Sequence, residues 1–232
     1  MNIGDRLEAI GKLVLHGCVL ADIGTDHAYL PVWLLEQGKI ASAIAGDIAE
    51  GPCLAAKNTV SMHGMKGKVE VRLGSGLKVL QAGEADCIAI AGMGASTMIE
   101  ILEADMPLAV EAKRLVLQPM AGAASLRKWL IQNGWHIVAE DLVADGRHLY
   151  EIMAVERGES EAFSDAVLEI GPSLIEAKHP LLAKQFARQI NNYKKLLANM
   201  GKSEQARASE KYIAWEKLVQ ELEALADACN CK

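Results

Sequence analysis

The chain has 232 residues, 51% of them hydrophobic and 23% charged, a balance that predicts a folded globular protein and excludes a disordered one. The net charge of −6 excludes a chain that is basic throughout, but it leaves room for a local basic face. No apolar run reaches the ~20 residues of a membrane helix, and the first residues do not form a signal peptide, so we expect a cytoplasmic protein.

Apolar, strand-like runs alternate with helical patterns through the first two thirds of the chain. The predicted strands cover residues 18–23, 43–48, 68–73, 86–91 and 114–118. The predicted helices between them cover Leu30 to Gln37, Pro52 to His63, Thr97 to Leu102 and Ala124 to Asn133. This alternation predicts a parallel sheet with helices on both of its faces.

Two further strands, at 135–143 and 149–155, follow without a helical pattern between them. Their short, turn-like connector at 144–148 forces an antiparallel pair. Five alternating strands that end in such a pair predict the α/β fold of Rossmann-like class I methyltransferases. A dehydrogenase would be expected to show a sixth parallel strand instead.

Beyond a polar stretch at 157–164 the sequence is helical only. Two long helices, at 181–199 and about 204–228, are joined around Gly201, and leucines at 218, 222 and 225 form an apolar seam. Such helices form an antiparallel hairpin. We therefore divide the chain into a methyltransferase domain at 1–158 and a coiled-coil-like helical domain at 159–232.

The first strand ends in a tight turn that selects the class of cofactor. A dinucleotide fingerprint requires three glycines, but here Gly24 is followed by Asp26 and no third glycine is present. A cofactor without phosphates, such as S-adenosylmethionine, needs only the first turn. Asp26 and His27 would face its amino acid end, while Asp47, after the second strand, would bind its ribose. The alternative is that Asp26 caps the helix and His27 is a surface residue.

Two later strand ends favour the same pocket, because ligands of open α/β sheets bind at the carboxyl ends of the strands. Gly74 and Gly76 follow the third strand, and Gly92 and Gly94 flank Met93 after the fourth. The alternative is that these glycines only reverse the chain. The predicted cofactor-binding residues are Asp22, Gly24, Thr25, His27, Asp47, Ile48, Gly74, Gly76, Gly92, Met93 and Gly94.

The acceptor is expected at the end of the fifth strand. Gln118 ends that strand and would hydrogen-bond a base edge, or it would cap a helix. Tyr29 would stack on an acceptor base, or it would belong to the core.

Several of these segments resemble the bacterial TrmK family of tRNA (adenine-22-N1)-methyltransferases. The resemblance rests on residues 22–31, 46–52, 74–77, 91–94 and 117–119, and it extends to 126–135, 150–152 and the helical tail. Two positions depart from the family pattern. Ala95 replaces an expected second glycine, and Met120 replaces an expected polar residue such as asparagine.

The resemblance implies methyl transfer from S-adenosylmethionine to N1 of an adenine in the D-arm of tRNA. N1 lies on the Watson–Crick edge, so the base must leave its helix before attack. The methylated ring is positively charged unless N6 loses a proton, and a nearby carboxylate would stabilise that charge or accept the proton. Asp26 is the predicted carboxylate, and it joins Tyr29 and Gln118 in the predicted catalytic set.

The helical tail carries an excess of six basic over acidic side chains between residues 178 and 211. In a tRNA-modifying enzyme this region is suited to phosphate contacts, and otherwise it is a solvated helical face. The predicted RNA-binding residues are Lys178, Lys184, Arg188, Lys194, Lys195, Lys202 and Arg207.

Two other functions stay open at this point. One is a methyltransferase for a small molecule or a protein, with the hairpin used for dimerisation or partner binding. The other is a non-enzymatic module whose hairpin binds proteins. Cys229 and Cys231 lack a second Cys/His pair, so we predict no metal site, and the sequence indicates neither a membrane nor an obligate protein partner.

Overall fold

A computed structural model describes residues 1–146 and 148–231 of the chain. Arg147, which belongs to the predicted connector between the last two strands, lies outside the described residues. The strands are β1 (Val19–Ile23), β2 (Ser42–Asp47), β3 (Val69–Leu73), β4 (Cys87–Met93), β5 (Arg114–Pro119), β6 (Trp135–Asp145) and β7 (His148–Arg157).

These strands form one sheet in the order β3-β2-β1-β4-β5-β7-β6. The first five strands are parallel, and β7 runs antiparallel to both β5 and β6. The predicted methyltransferase-type sheet is therefore confirmed. Its strand order reverses beside β1, where Asp22 pairs with Ala45 of β2 on one side and Ala89 of β4 on the other. The carboxyl ends of these strands open the crevice in which such sheets bind ligands.

In the part of the chain that the structure describes, six α-helices accompany the sheet. They are α1 (Gly4–Leu13), α2 (Tyr29–Glu36), α3 (Glu50–Met62), α4 (Ala95–Ala104), α5 (Met106–Glu111) and α6 (Ala123–Gln132). One apolar cluster joins α1, α2 and α3 to the sheet, and a second joins α4, α5 and α6 to it. Strands such as Cys87 to Ile90 are buried throughout, because side chains on both of their faces are covered.

The chain divides into two compact units, Met1–Ser160 and Glu161–Lys232. The second unit contains α7 (Asp165–Ile170), α8 (Pro172–Glu176), α9 (Leu182–Met200), α10 (Glu204–Arg207) and α11 (Glu210–Ala228). Helices α9 and α11 form the predicted antiparallel pair. Tyr193 and Trp215 meet edge to face across it, with ring centroids 5.7 Å apart.

The prediction of a single helix at 204–228 is wrong, because the helix is interrupted between α10 and α11. Ser209 lies at the break, where its Oγ accepts a hydrogen bond from the Tyr212 backbone N–H at 3.2 Å and donates one to the Ala206 carbonyl. A serine hydroxyl that bonds the backbone in this way starts a new helix. No helix of the described residues is long and apolar enough to cross a membrane.

Candidate active site

A cavity of about 340 Å³ opens at the carboxyl ends of β1 to β4. Its volume suits a small-molecule ligand. Its lining residues come from these strand ends, from the short 3₁₀ helix Gly76–Val79 and from α4. They are Ile23, Gly24, Gly46, Asp47, Ile48, Gly74, Ser75, Gly76, Lys78, Met93, Thr97, Glu100, Ile101, Ala104 and Asp105.

The turn after β1 is bound to the end of β2 through its backbone. The N–H groups of Gly24 and Thr25 both donate to the Gly46 carbonyl, at 2.8 and 3.1 Å. The Asp26 N–H donates to the Asp47 carboxylate at 3.3 Å. Although the strand–turn–helix order favours N–H groups that face a ligand, these three N–H groups hold the two strand ends together instead.

Asp22 lies beneath this turn and is buried. Thr25 Oγ1 donates a hydrogen bond to its carboxylate at 2.5 Å. Burial raises the pKa of Asp22 to about 6, with a small further contribution from the negative charge of Asp47, while the hydrogen bond from Thr25 opposes the shift. Asp22 and Thr25 therefore stabilise the turn from below, and neither lines the cavity.

Asp47 lies at the cavity wall with its carboxylate oriented by two backbone N–H groups. Its Oδ1 accepts from Ala49 at 3.0 Å, and its Oδ2 accepts from Asp26. A carboxylate has about four acceptor positions, so this side chain keeps the capacity to bind a pair of hydroxyls. The next residue, Ile48, is 72% exposed and supplies an apolar edge to the same wall.

Several glycines form part of the cavity wall. A Cβ added at Gly46 would lie 2.7 Å from the side chain of Val79, and one added at Gly74 would lie 2.8 Å from it. Val79 therefore occupies the space that a side chain at either position would need. A Cβ added at Gly24 would lie only 2.1 Å from the methyl group of Met93. The small residues therefore let the backbone form the cavity wall directly.

The charge of the cavity fits S-adenosylmethionine. Among the described residues, three acidic ones line it, Asp47, Glu100 and Asp105, against one basic residue, Lys78. A pyrophosphate cofactor requires the opposite balance, whereas a sulfonium cofactor with a net positive charge is attracted by this one.

Six of the predicted cofactor-binding residues line the cavity: Gly24, Asp47, Ile48, Gly74, Gly76 and Met93. The other five predicted residues do not line the cavity: Asp22, Thr25, His27, Gly92 and Gly94. Gly92 has a φ of +79° and is exposed, and Gly94 is the N-cap of α4.

Asp26, His27 and Tyr29 form an exposed group after β1. The rings of His27 and Tyr29 are stacked, with centroids 5.0 Å apart and an interplanar angle of 9°. His27 Nε2 lies 3.5 Å from Asp26 Oδ1, and Tyr29 is 41% exposed. Helix α2 begins at Tyr29 with no side-chain cap, so Asp26 does not cap it.

Gln118 is fully buried at the end of β5, and both ends of its amide are bound within the protein. Its Oε1 accepts a hydrogen bond from Arg6 Nη1 at 2.8 Å, and its Nε2 donates to the Pro119 carbonyl at 3.0 Å. The neighbouring Met120 is 52% exposed.

The predicted RNA-binding residues occupy different environments within the helical unit. Lys178, Lys184 and Lys195 are exposed, while Arg188 is half-buried. Three residues are bound within the unit. Lys194 pairs with Glu223 at 2.6 Å, Lys202 donates to Asn199, and Arg207 donates to the Gly201 carbonyl.

The family model described as TrmK, tRNA (adenine(22)-N(1))-methyltransferase, matches residues 20–223. The chain belongs to the TrmK family. A curated relative, the tRNA (adenine(22)-N(1))-methyltransferase of Bacillus subtilis, is 34% identical over 197 residues, which cover 83% of this chain and 83% of that protein.

Solved structures of TrmK proteins and their relatives share the fold over nearly the whole chain. The crystal structure of the B. subtilis m1A22 tRNA methyltransferase TrmK has a TM-score of 0.84 at 31% identity, covering 98% of this chain and 99% of that one. Sp1610 of Streptococcus pneumoniae, solved in complex with S-adenosyl-L-methionine, has a TM-score of 0.85 at 33% identity, with coverages of 97% and 99%.

Sequence reasoning missed some residues of this TrmK-family site. Lys78, Glu100 and Asp105 line the cavity, yet they lie outside the strand-end motifs. An acidic residue on a helix after a strand end gives no motif that marks it as part of a site. Arg6 was missed too, because its contact with Gln118 spans 112 positions of the chain.

Proposed function

We propose that this protein transfers a methyl group from S-adenosylmethionine to N1 of adenine 22 of tRNA. The observation that carries this function is the family match over residues 20–223, which spans the cavity and most of the helical unit. When bound, S-adenosylmethionine supplies an electrophilic methyl group, and the residues of this chain bind it, orient the acceptor and exclude water. Because tRNA is the substrate, we place the activity in the cytoplasm.

The cavity residues hold the cofactor in this proposal. Asp47 binds the ribose hydroxyls, because its carboxylate is already oriented by the N–H groups of Asp26 and Ala49. Ile48 and the backbone at Gly74 and Gly76 accommodate the adenine ring. Glu100 and Asp105 contribute negative charge to the wall that receives a cationic ligand.

The exposed group after β1 receives the acceptor. The stacked rings of His27 and Tyr29 offer a flat surface on which an extruded adenine can stack. The exposed carboxylate of Asp26 stabilises the positive charge that develops on the methylated ring, or accepts the N6 proton. Orientation by these groups contributes to the rate, since displacement at a methyl carbon requires the attacking nitrogen in line.

The helical unit, Glu161–Lys232, contacts the tRNA backbone. Its exposed lysines attract phosphates without regard to base sequence. The net charge of the whole chain is −6, so the protein as a whole does not attract a polyanion. In this proposal the first unit carries out the methyl transfer, and the second unit supplies most of the affinity for tRNA.

Methylation of an unmodified tRNA transcript with labelled S-adenosylmethionine, followed by mapping of the label, tests the proposed function. We expect one labelled nucleotide, 1-methyladenosine at position 22, and no label on a transcript in which that adenine is replaced by guanine. Label on another base, or none on any tRNA, would overturn the assignment.

A further inference from the structure

The side chain of Arg6 reaches from the first turn of α1 to the carboxyl edge of the sheet. Its Nη1 donates to Gln118 Oε1 at 2.8 Å, and its Cζ lies 5.7 Å from the centroid of the Tyr150 ring. The first contact comes from β5 and the second from β7. Together they hold the guanidinium in one place, by a hydrogen bond and a cation–π interaction.

Among residues 1–146 and 148–231, Arg6 has no carboxylate within ion-pairing distance. In contrast, Arg72, Arg114 and Arg127 of the same unit each bind one or two glutamates. A guanidinium carries five N–H donors, and the hydrogen bond to Gln118 uses one of them. Arg6 is half-buried and therefore retains donors and an uncompensated charge for an anion.

The guanidinium of Arg6 lies above the end of β4. A Cβ added at Gly92 would lie 3.8 Å from Arg6 Nη1, so the charged group stands above an exposed glycine at the end of β4. The next residue, Met93, lines the cofactor cavity. Arg6 thus lies one residue from the cavity wall, on the side where Gln118 ends β5.

Gln118 itself presents no free polar group to this side. It is fully buried, its oxygen is bound to Arg6 and its nitrogen to the Pro119 carbonyl. At the end of β5, the polar group that keeps donors for a ligand is therefore the guanidinium of Arg6, with Gln118 as the residue that positions it.

We propose that Arg6 binds a phosphate group of the tRNA backbone next to the target adenosine. This assignment rests on the proposed function. A nucleotide extruded toward the cavity brings its flanking phosphates to the mouth of the crevice, and the forked donors of a guanidinium match phosphate oxygens. Phosphate contacts of this kind fix the register of a nucleic acid without reading its sequence.

The test compares Arg6→Gln and Arg6→Lys with wild type in binding and methylation of an unmodified tRNA transcript over a range of salt concentrations. Lys12→Gln, an exposed lysine in the last turn of the same helix, is the matched control for loss of one charge. We expect Arg6→Gln to raise the Kd for tRNA about tenfold. The plot of log K against log salt should lose about 0.7–0.9 in slope, as for one lost phosphate contact.

Affinity for S-adenosylmethionine should stay at the wild-type value in every variant. Arg6→Lys should restore the salt slope and part of the affinity, and Lys12→Gln should match wild type in both. A purely structural role would weaken tRNA binding without changing the slope, and that result would overturn the proposal. So would unchanged tRNA binding in Arg6→Gln. If wild type methylates no tRNA, the proposed function is wrong. If wild type methylates tRNA but Arg6→Gln binds it with the wild-type affinity or salt slope, only the role of Arg6 is refuted.

Discussion

At the scale of single residues, two separate constraints favour glycine at position 24. Its φ of +74° disfavours any residue with a side chain, and an added Cβ would overlap the methyl group of Met93. The methyl end of a methionine moves easily, so this overlap costs little folding free energy. Met93 lines the cavity, however, and its displacement takes space from the cofactor.

Gly24→Ala should therefore lower the free energy of unfolding by about 1 kcal/mol. It should also weaken S-adenosylmethionine binding, because the displaced Met93 side chain occupies part of the cavity. Chemical denaturation and calorimetric titration measure the two effects. Gly38→Ala is the matched control, because Gly38 has a φ of +65° and nothing within 4 Å of the added Cβ. It should lose similar stability and keep the wild-type affinity. Equal affinities in both variants would show that Met93 does not transmit the change.

Asp22, beneath the same turn, makes the stability of the protein depend on pH. Because its pKa is raised to about 6, the folded protein keeps a proton between about pH 4 and 6 that the unfolded chain has released. Its contribution to stability is therefore greatest at low pH and is lost as the pH rises through about 6.

Asp22→Asn removes this titration, while Thr25 can still donate to the amide oxygen. The stability of wild type relative to Asp22→Asn should fall by about 2–3 kcal/mol between about pH 4 and pH 7. Urea denaturation of both proteins across this range gives the difference curve, in which the shared titrations of other groups cancel. A flat difference curve would mean that burial does not raise the pKa of Asp22.

At the scale of elements, a buried ion cluster joins α6 to the last two strands. Arg127 of α6 donates from Nε to Glu140 of β6 at 2.7 Å and from Nη2 to Glu151 of β7 at 2.8 Å. All three side chains are nearly or fully buried. Burial alone lowers the pKa of Arg127, but the two carboxylates outweigh it and raise that pKa above its ordinary value.

Arg127→Met should lower the free energy of unfolding by about 3–5 kcal/mol, because it removes a buried cation that is bound to two buried carboxylates. Lys113→Met removes an exposed cation paired with Asp86, and solvent screening of that pair should make its effect on the free energy of unfolding much smaller. Urea denaturation measures both variants, and a comparable small loss in each would contradict a stabilising role for the buried cluster.

The elements also show what the sequence predicts well. The five parallel strands lie within two residues of their predicted bounds, since continuous apolar runs mark strands buried on both faces. Helix α1 is absent from the predicted elements. A Cβ at its Gly11 would meet Trp33 at 2.7 Å, so this glycine allows close packing against α2. The cavity motifs are local in sequence and could be predicted, whereas the contact of Arg6 with Gln118 depends on the fold.

At the scale of the whole molecule, charge is divided unevenly along the chain. The net charge is −6, yet the segment from 178 to 211 has an excess of six basic side chains. Within the helical unit, ion pairs such as that of Lys194 with Glu223 reduce this excess. Lys184 and Lys195 are exposed on α9, about three helical turns apart and therefore on the same face.

The double variant Lys184→Gln/Lys195→Gln should weaken tRNA binding and reduce the salt slope by about 1.4–1.8, the value for two phosphate contacts. The double variant Lys12→Gln/Lys57→Gln removes the same charge from exposed positions on α1 and α3, outside the helical unit, and should keep the wild-type slope. Titration of labelled tRNA at several salt concentrations measures both. Equal slopes in the two double variants would mean that net charge, and not a defined face of α9, attracts the tRNA. A loss confined to the α9 variant, with unchanged affinity for S-adenosylmethionine, would assign that face to tRNA binding.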